Sequence, residues 1–165
     1  MTERPQIKPL LTPVDKLMEF VGAGALLLFL GYSAYHFVSL PAEVPIHFNA
    51  AGEPDRYGHK GVFLILPGIA GLLHVGLTVL SKYPHIFNYP VSITEENALR
   101  QYGFAVRLLR FLKLVIVIVF ALIAFTTVRY TQGVATGLGG WFLPAFSAVM
   151  FLPLGFYIYY AVKQK

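Results

Sequence analysis

The chain has 165 residues, of which 56% are hydrophobic and only 13% are charged, and its formal net charge is +5. An ordinary soluble domain carries about 25% charged residues, so this composition predicts that much of the chain lies in lipid. The absence of cysteine excludes disulfides, thiolate catalysis, zinc–cysteine sites and iron–sulfur clusters. The basic residues flank apolar stretches and form no single patch, so nucleic acid is not expected as a partner.

Four stretches of the chain are long and apolar enough for transmembrane helices, which need about 20 such residues. The first exceeds the apolar core of a signal peptide, about 7–15 residues, and no small-residue cleavage site follows it, so we expect an uncleaved span. We predict an all-α integral membrane bundle of four helices, forming one domain over residues 1–165. The predicted spans are 17–40, 61–80, 108–128 and 141–162.

The direction of the spans follows from the lysines and arginines in their short flanks, which accumulate on the cytoplasmic side of membrane proteins. Ten of the 13 lie on one side of the predicted bundle and three on the other. The richer side carries both termini, which are therefore predicted to be cytoplasmic, while the loop 41–60 faces outward. The ten are Arg4, Lys8, Lys16, Lys82, Arg100, Arg107, Arg110, Lys113, Lys163 and Lys165, and the three are Arg56, Lys60 and Arg129.

The loop 41–60 begins with alternating residue types. Val44, Ile46 and Phe48 alternate with proline and polar residues, which predicts a short extended segment whose apolar face lies on the bundle. Its prolines lack the N–H that a ladder needs, so the segment is predicted to be an edge or isolated strand. A turn follows, in which Gly52 is free to adopt positive φ.

Polar residues of this loop form a predicted cap on the outer face. The cap motif comprises His47, Phe48, Asn49, Gly52, Pro54, Asp55 and Lys60, with His36 and His59 as possible additions. Three histidines with acidic groups are a possible metal site, although their spacing matches no established zinc pattern. The favoured alternative is a hydrogen-bonded cap without a cofactor, in which Asp55 pairs with Lys60 or Arg56.

The same loop contains a recognisable motif, whose residues are Leu40-Pro41, Val44-Pro45-Ile46-His47-Phe48-Asn49, Gly52-Glu53-Pro54-Asp55 and Lys60. This motif resembles a bacterial domain of unknown function that lies between two transmembrane helices of SdpI-like proteins. That family provides immunity and signalling for a secreted toxin peptide. The resemblance covers about residues 20–80 and implies a multi-pass protein of the bacterial cytoplasmic membrane, with no catalytic residues. The further spans and the second motif of SdpI-like proteins do not occur in this sequence.

A long basic helix is predicted after the second span. Ser92 and Glu95 have capping-box spacing, Thr94 is an alternative N-cap, and nothing from residue 97 to 128 interrupts the helix. Such a helix is on the order of 50 Å long, so its amphipathic first part is expected to project into the cytoplasm or lie at the interface. Its basic residues are predicted to contact anionic lipid headgroups or, alternatively, a partner protein. They are Arg100, Arg107, Arg110 and Lys113.

Ionisable residues inside a span indicate function by default, and here only His74 lies well inside one. No span carries a central aspartate or glutamate, so a hydrogen bond from His74 to a carbonyl or to Tyr32 is favoured over a proton relay. The absence of an internal repeat also argues against a symmetric transporter.

These patterns favour a non-enzymatic multi-pass membrane protein. Its outer cap is predicted to bind or sense an extracytoplasmic peptide, an envelope component or a membrane-protein partner, and the lipid bilayer surrounds it. The alternatives are a metal-dependent enzyme or ligand site at the outer face, and a small transporter subunit that uses His74. A homo-oligomer is a further possibility.

Overall fold

The computed structural model describes residues 4–164, so the predicted cytoplasmic Lys165 lies outside the described residues. Four helices in this range are long and apolar enough to cross a membrane, which confirms the predicted spans and indicates a multi-pass membrane protein. They are α1 Pro13–Phe37, α2 Ile65–Leu80, α3 Ala98–Thr131 and α4 Phe142–Lys163, and the second span also includes the 3₁₀ turn before α2, so that it runs over Lys60–Leu80.

The start of α1 lies before the predicted residue 17 because Thr12 and Asp15 form a capping box. The Asp15 N–H donates to the Thr12 hydroxyl at 3.3 Å, and the Thr12 N–H donates to the Asp15 carboxylate at 2.9 Å. Pro13 suits the first helical position, where its missing N–H leaves no bond unmade. The earlier start brings Asp15 into the helix.

A β-hairpin connects α1 to α2, where the sequence predicted one edge or isolated strand. β1 (Glu43–Phe48) pairs antiparallel with β2 (Pro54–His59), and a 3₁₀ turn (Lys60–Leu64) leads directly into α2. The proline, glycine and charged residues of β2 carry no alternation, which is why the second strand was not predicted.

The register of the hairpin shifts between Pro45 and Phe48, and this changes the predicted face of β1. Val44 and Pro45 are both buried, whereas Ile46, predicted to lie on the bundle, is exposed and packs against Gly58 of β2. An irregularity of this kind turns the side chains that follow it to the other face of a strand.

The first turn before α3 is formed differently from the predicted pairing of Ser92 with Glu95. The Asn97 N–H donates to the Thr94 hydroxyl at 3.3 Å, and the Thr94 N–H donates to the Asn97 side chain at 2.9 Å. Thr94, the alternative N-cap, thus forms a reciprocal pair in which asparagine takes the place usually held by glutamate. Ser92 contributes its carbonyl, which accepts from Asn97 at 3.0 Å.

The central helix of the bundle is α3, which packs against α1, α2 and α4. None of the residues in the apolar window of α4 is buried, so most of this helix faces the surrounding lipid. The core joins α1, β1, the start of α2 and the second half of α3. It contains Leu26, Phe29, Leu40, Val44, Phe63, Ala70, Val117, Ala124 and Val128.

Contacts between the connecting segments define two ends of the bundle. At the hairpin end, the Leu138 N–H donates to the Gly52 carbonyl at 2.7 Å, which joins the hairpin to the turn 132–141. At the opposite end, which we call the charged end, Arg4 donates to the Phe87 carbonyl at 2.6 Å. The helices therefore run alternately up and down between these two ends.

Candidate functional site

The predicted cap residues His47 and Asp55 form a pair at the hairpin end. His47 Nδ1 lies 2.5 Å from Asp55 Oδ1, and the two side chains are 45% and 40% exposed. The predicted partners of Asp55 were Lys60 and Arg56, but the strand register places His47 opposite Arg56 and thus beside Asp55. A pair this exposed adds little to stability. Because both side chains are exposed, their polar atoms can be reached by a ligand.

Asn49 and Gly52 shape the tip of the hairpin. The Asn49 side-chain oxygen accepts from the N–H groups of Ala51 at 2.9 Å and Glu53 at 3.0 Å, which closes the turn. Gly52 has a φ of +78°, and a Cβ added there would lie 2.5 Å from backbone atoms of Gly139. Both residues therefore position the hairpin, and the Asn49 side-chain oxygen is used by the turn itself.

Lys60 and His59 hold the base of the hairpin. The Lys60 ammonium donates to the carbonyls of Phe37 at 3.4 Å and Leu40 at 3.3 Å, where a cation is favourable at the C-terminal end of α1. The His59 ring accepts from the Gly61 N–H at 3.1 Å and so caps the 3₁₀ turn. These two predicted site residues have structural contacts.

Phe48 lies opposite Pro54 in the hairpin and lines an apolar cavity of about 370 Å³. The cavity lies between β1, the start of α2, α3 and the first residue of α4, and its mouth includes His47. We call it the hairpin cavity. The apolar lining residues that define it are Ile46, Phe48, Phe63, Leu66, Ile123 and Phe142.

The third predicted histidine, His36, does not reach the His47–Asp55 pair. Its ring packs on Tyr32 with centroids 4.3 Å apart and meets Tyr35 edge-on at 5.0 Å. Among residues 4–164, no three histidine, aspartate or glutamate side chains approach closely enough to hold a metal ion together. The predicted metal alternative with His36, His47, Asp55 and His59 is therefore not assembled in the described part of the chain.

Tyr57 and Tyr130 add a contact that the sequence did not indicate. Their hydroxyl oxygens lie 2.6 Å apart and join β2 to the last turn of α3. The hydrogen bond to Tyr130 raises the pKa of the Tyr57 hydroxyl above its ordinary value. The hairpin is thus tied to α3 as well as to the turn 132–141.

At the charged end, ionised residues of α1 and α3 form a buried cluster. Lys113 Nζ lies 2.5 Å from Glu19 and 2.7 Å from the Thr78 hydroxyl of α2. Arg110 contacts Glu19 at 3.0 Å and Asp15 at 3.3 Å. The side chains of Lys113, Arg110 and Asp15 are 2%, 10% and 3% exposed and that of Glu19 is 29% exposed, so the cluster is shielded from solvent except at Glu19. We call it the charge cluster.

The charge cluster changes the prediction for the basic face of α3. Lipid or partner contact was predicted for four residues, but Arg110 and Lys113 are buried because they neutralise carboxylates of α1. Arg107 also contacts Asp15, at 3.2 Å, yet its side chain is 45% exposed. Arg100 is exposed and donates to the Gln164 carbonyl at 2.8 Å. Only Arg100 and Arg107 are therefore placed to reach a headgroup.

His74 lies one turn of α2 from the charge cluster. Its ring packs against Gly22 of α1, and its Nδ1 is buried without a hydrogen-bond partner among the described residues. Glu19, His74 and Thr78 line one cavity of about 590 Å³ between α1 and α2. The sequence prediction found no carboxylate near His74, and the structure corrects this by bringing Glu19 to the same cavity. No hydrogen bond joins His74 to Tyr32, which packs on His36 instead.

Comparison with known proteins finds a domain match that includes the hairpin. The profile of a domain of unknown function, DUF1648, matches residues 24–71. This match confirms the resemblance predicted for residues 20–80, at the level of the domain. It spans the second half of α1, the hairpin and the first half of α2, but not the charge cluster. No solved structure matches the chain.

A curated relative extends the similarity without adding a function. An uncharacterised protein of Archaeoglobus fulgidus is 29% identical over 99 residues, which cover 55% of this chain and 54% of that protein. The chain thus spans about half the length of the relative. The comparisons support the presence of the matched domain, and the four apolar helices indicate a multi-pass membrane protein.

Proposed function

We propose that this protein is a non-enzymatic membrane receptor that binds the apolar segment of an extracytoplasmic peptide in the hairpin cavity. The observation that carries the proposal is the apolar cavity of about 370 Å³ with the exposed polar side chain of His47 at its mouth. Ligand sites are typically apolar hollows with a few polar groups that fix orientation.

The construction of the hairpin supports this assignment. Three residues fix the hairpin: Asn49 closes its turn, Gly52 allows its close contact with Gly139, and Lys60 binds the end of α1. β1 therefore forms a preformed wall of the cavity. A preformed wall lowers the entropy cost of ordering the site when a ligand binds. Among residues 4–164, His47 and Asp55 have no side-chain hydrogen bond beyond their mutual one, which leaves them for recognition.

The choice of a peptide rests on chemistry and on resemblance. An apolar side chain fits the cavity, and the His47–Asp55 pair offers a hydrogen-bond donor and acceptor to a backbone or a charged end. The resemblance of the loop to SdpI-like proteins favours a secreted peptide over other envelope components. The bias of ten basic residues to three supports an extracytoplasmic position for the hairpin.

The orientation is testable because the chain has no cysteine of its own. We expect an exposed Ala51→Cys variant to react with a membrane-impermeant maleimide in intact cells, and Asn88→Cys to react only after lysis. The reverse pattern would place the hairpin in the cytoplasm and remove an extracytoplasmic ligand from consideration.

Ligand binding is testable by photocrosslinking in cells that carry the full-length protein. A photoreactive phenylalanine analogue at Phe48, which lines the cavity, is expected to yield a discrete peptide adduct that mass spectrometry resolves. Ile123→Trp fills the cavity and should abolish this adduct. Ile118→Trp, on the exposed surface of the same helix, adds the same bulk and should leave the adduct unchanged.

Three outcomes would contradict the proposal. The first is crosslinking to lipid only, and the second is an adduct that persists when Ile123→Trp fills the cavity. The third is full retention of the adduct in the double variant His47→Ala/Asp55→Ala, because the polar mouth would then have no part in recognition.

The second candidate function is a transporter subunit that uses His74. The observation that favours it is the cavity shared by His74, Glu19 and Thr78, which gives the histidine a carboxylate neighbour. A proton relay needs both groups. His74→Ala is then expected to abolish proton-coupled uptake in reconstituted vesicles, whereas the control Ser33→Ala should retain it. Proton-coupled uptake by the His74→Ala protein would remove this candidate.

A further inference from the structure

Two hollows at the charged end meet at the same two residues of α3. One, of about 270 Å³, is lined by Arg100, Gly103 and Leu99 together with the segment before α1. The other is an apolar groove of about 400 Å³ between α1, α3 and α4. Phe104 and Arg107 line both hollows, so they form one continuous surface. The apolar groove is lined by Val14, Met18, Leu108, Phe111, Pro153 and Phe156.

The positive charge of this surface is only partly neutralised. With the addition of Arg107, which contacts Asp15 from the exposed side, the charge cluster has three cations, Arg107, Arg110 and Lys113, but two carboxylates, Asp15 and Glu19. Arg107 pairs with Asp15 through two guanidinium nitrogens, at 3.2 and 3.4 Å, while Glu19 accepts from both Lys113 and Arg110. The cluster therefore carries one positive charge in excess, and Arg107, whose side chain is 45% exposed, is the most accessible of its three cations.

Arg100 adds a second cation to the same face. It lies seven residues, or about two helical turns, before Arg107, so both project from one side of α3 into the smaller hollow. Among the described residues its hydrogen-bond partner is the Gln164 carbonyl, which leaves other donors of the guanidinium available. The two guanidiniums suit the geometry of a phosphate group.

We propose that this surface binds one anionic phospholipid of the surrounding leaflet. Its phosphate lies in the smaller hollow between Arg100 and Arg107, and an acyl chain lies in the apolar groove. The order of the hollows, cationic toward the end of the bundle and apolar toward its middle, matches the order of headgroup and chain in a bilayer. A soluble anion would leave the groove unfilled.

The neighbouring residues support a lipid and not a soluble partner. Leu10 is 90% exposed and Val14 is 57% exposed beside the two hollows, where contact with water is unfavourable and contact with acyl chains is favourable. Groups of basic residues at the end of a transmembrane helix attract anionic lipids by about 1 kcal/mol each. This contribution corresponds to about a fivefold preference for an anionic lipid for each arginine.

The test uses fluorescence quenching by lipids that carry bromine on their acyl chains. The probe is Phe156→Trp in a Trp141→Phe background, which places the single indole in the apolar groove. The purified protein is reconstituted in phosphatidylcholine with a minor fraction of brominated phosphatidylglycerol, or with the same fraction of brominated phosphatidylcholine. We expect several-fold stronger quenching by the anionic lipid.

Matched variants make the result specific. Arg100→Gln, which lies outside the charge cluster and is not needed for its ion pairs, should lower the preference about fivefold, while Arg100→Lys should retain most of it. Arg56→Gln at the hairpin end should have no effect. A second probe, Leu72→Trp on an exposed face of α2, should be quenched equally by both lipids.

Equal quenching of the Phe156→Trp probe by the two lipids would overturn the proposal. So would an unchanged preference in Arg100→Gln, because the smaller hollow would then not hold the phosphate. A preference at Leu72→Trp equal to that at Phe156→Trp would indicate general attraction to the charged end and would equally contradict a defined site.

Discussion

The two ends of this bundle are held together by different interactions. At the hairpin end, backbone conformation and short hydrogen bonds fix the structure, and the polar side chains of His47 and Asp55 stay exposed. At the charged end, ionised side chains are buried between helices, and Lys113 is only 2% exposed. The hairpin end therefore keeps polar side chains available at the surface, whereas the charged end uses its ion pairs to hold α1 to α3.

This difference indicates which substitutions each end tolerates. A buried ion pair contributes little net stability relative to an apolar replacement, but removing one partner leaves the other charge uncompensated. The hairpin end depends instead on a close backbone approach that a single added methyl group prevents. The domain match covers residues 24–71, so the charge cluster lies outside the matched domain.

The largest effect is expected from Lys113→Met, which leaves Glu19 without its closest cation. Removing one partner of a buried pair costs about 3–5 kcal/mol, and we expect the lower value because Glu19 keeps its contact with Arg110. The free energy of unfolding in mixed detergent micelles measures this loss. Lys82→Met, which removes an exposed lysine at the same end, is the matched control and should be neutral.

The double variant Glu19→Gln/Lys113→Met separates lost charge pairing from lost packing. We expect it to be more stable than Lys113→Met alone because no uncompensated carboxylate remains near the helix contact. Equal stability of the double and single variants would mean that the packing of the lysine chain, and not its charge, holds α1 to α3.

The charge cluster also marks what sequence reasoning missed. The distribution of basic residues placed the starts of α1 and α3 at one end, and Asp15, Glu19, Arg110 and Lys113 all recur at helical spacing. The missing information was the rotation of each helix, because the same basic face can turn toward lipid or toward a neighbouring helix. The rotation is set by packing among residues distant in sequence, such as Glu19 and Lys113, which are 94 positions apart.

The hairpin end was predicted in greater part, for local reasons. The proline, glycine and alternating residues of the loop indicate a strand and a turn within a few positions. The pairing of His47 with Asp55 and the outward turn of Ile46 could not be predicted, since both depend on an irregular register. The hairpin cavity, too, needs the distant Ile123 and Phe142 to close it.

An intermediate effect is expected from Gly52→Ala. The left-handed φ of +78° costs a non-glycine residue about 1–2 kcal/mol, and the added Cβ overlaps the Gly139 backbone, so the tip should separate from the turn 132–141. Limited trypsin cleavage at Arg56 measures this separation and should become faster. Gly31→Ala, in open space on α1, is the control and should leave cleavage unchanged.

The smallest effect is expected from Tyr57→Phe, which removes the hydroxyl that contacts Tyr130. The hydrogen bond raises the pKa of Tyr57 in the folded protein above its model-compound value of 10.0. A group with a raised folded-state pKa stabilises the fold below its unfolded pKa and loses this contribution as the pH rises through the folded value. The wild-type protein should therefore melt slightly above Tyr57→Phe at neutral pH, and the two melting temperatures should converge as the pH rises above about 10. Parallel melting curves across this range would mean that the hydroxyl pair does not tie the hairpin to α3, and that the hairpin end depends on its backbone contacts alone.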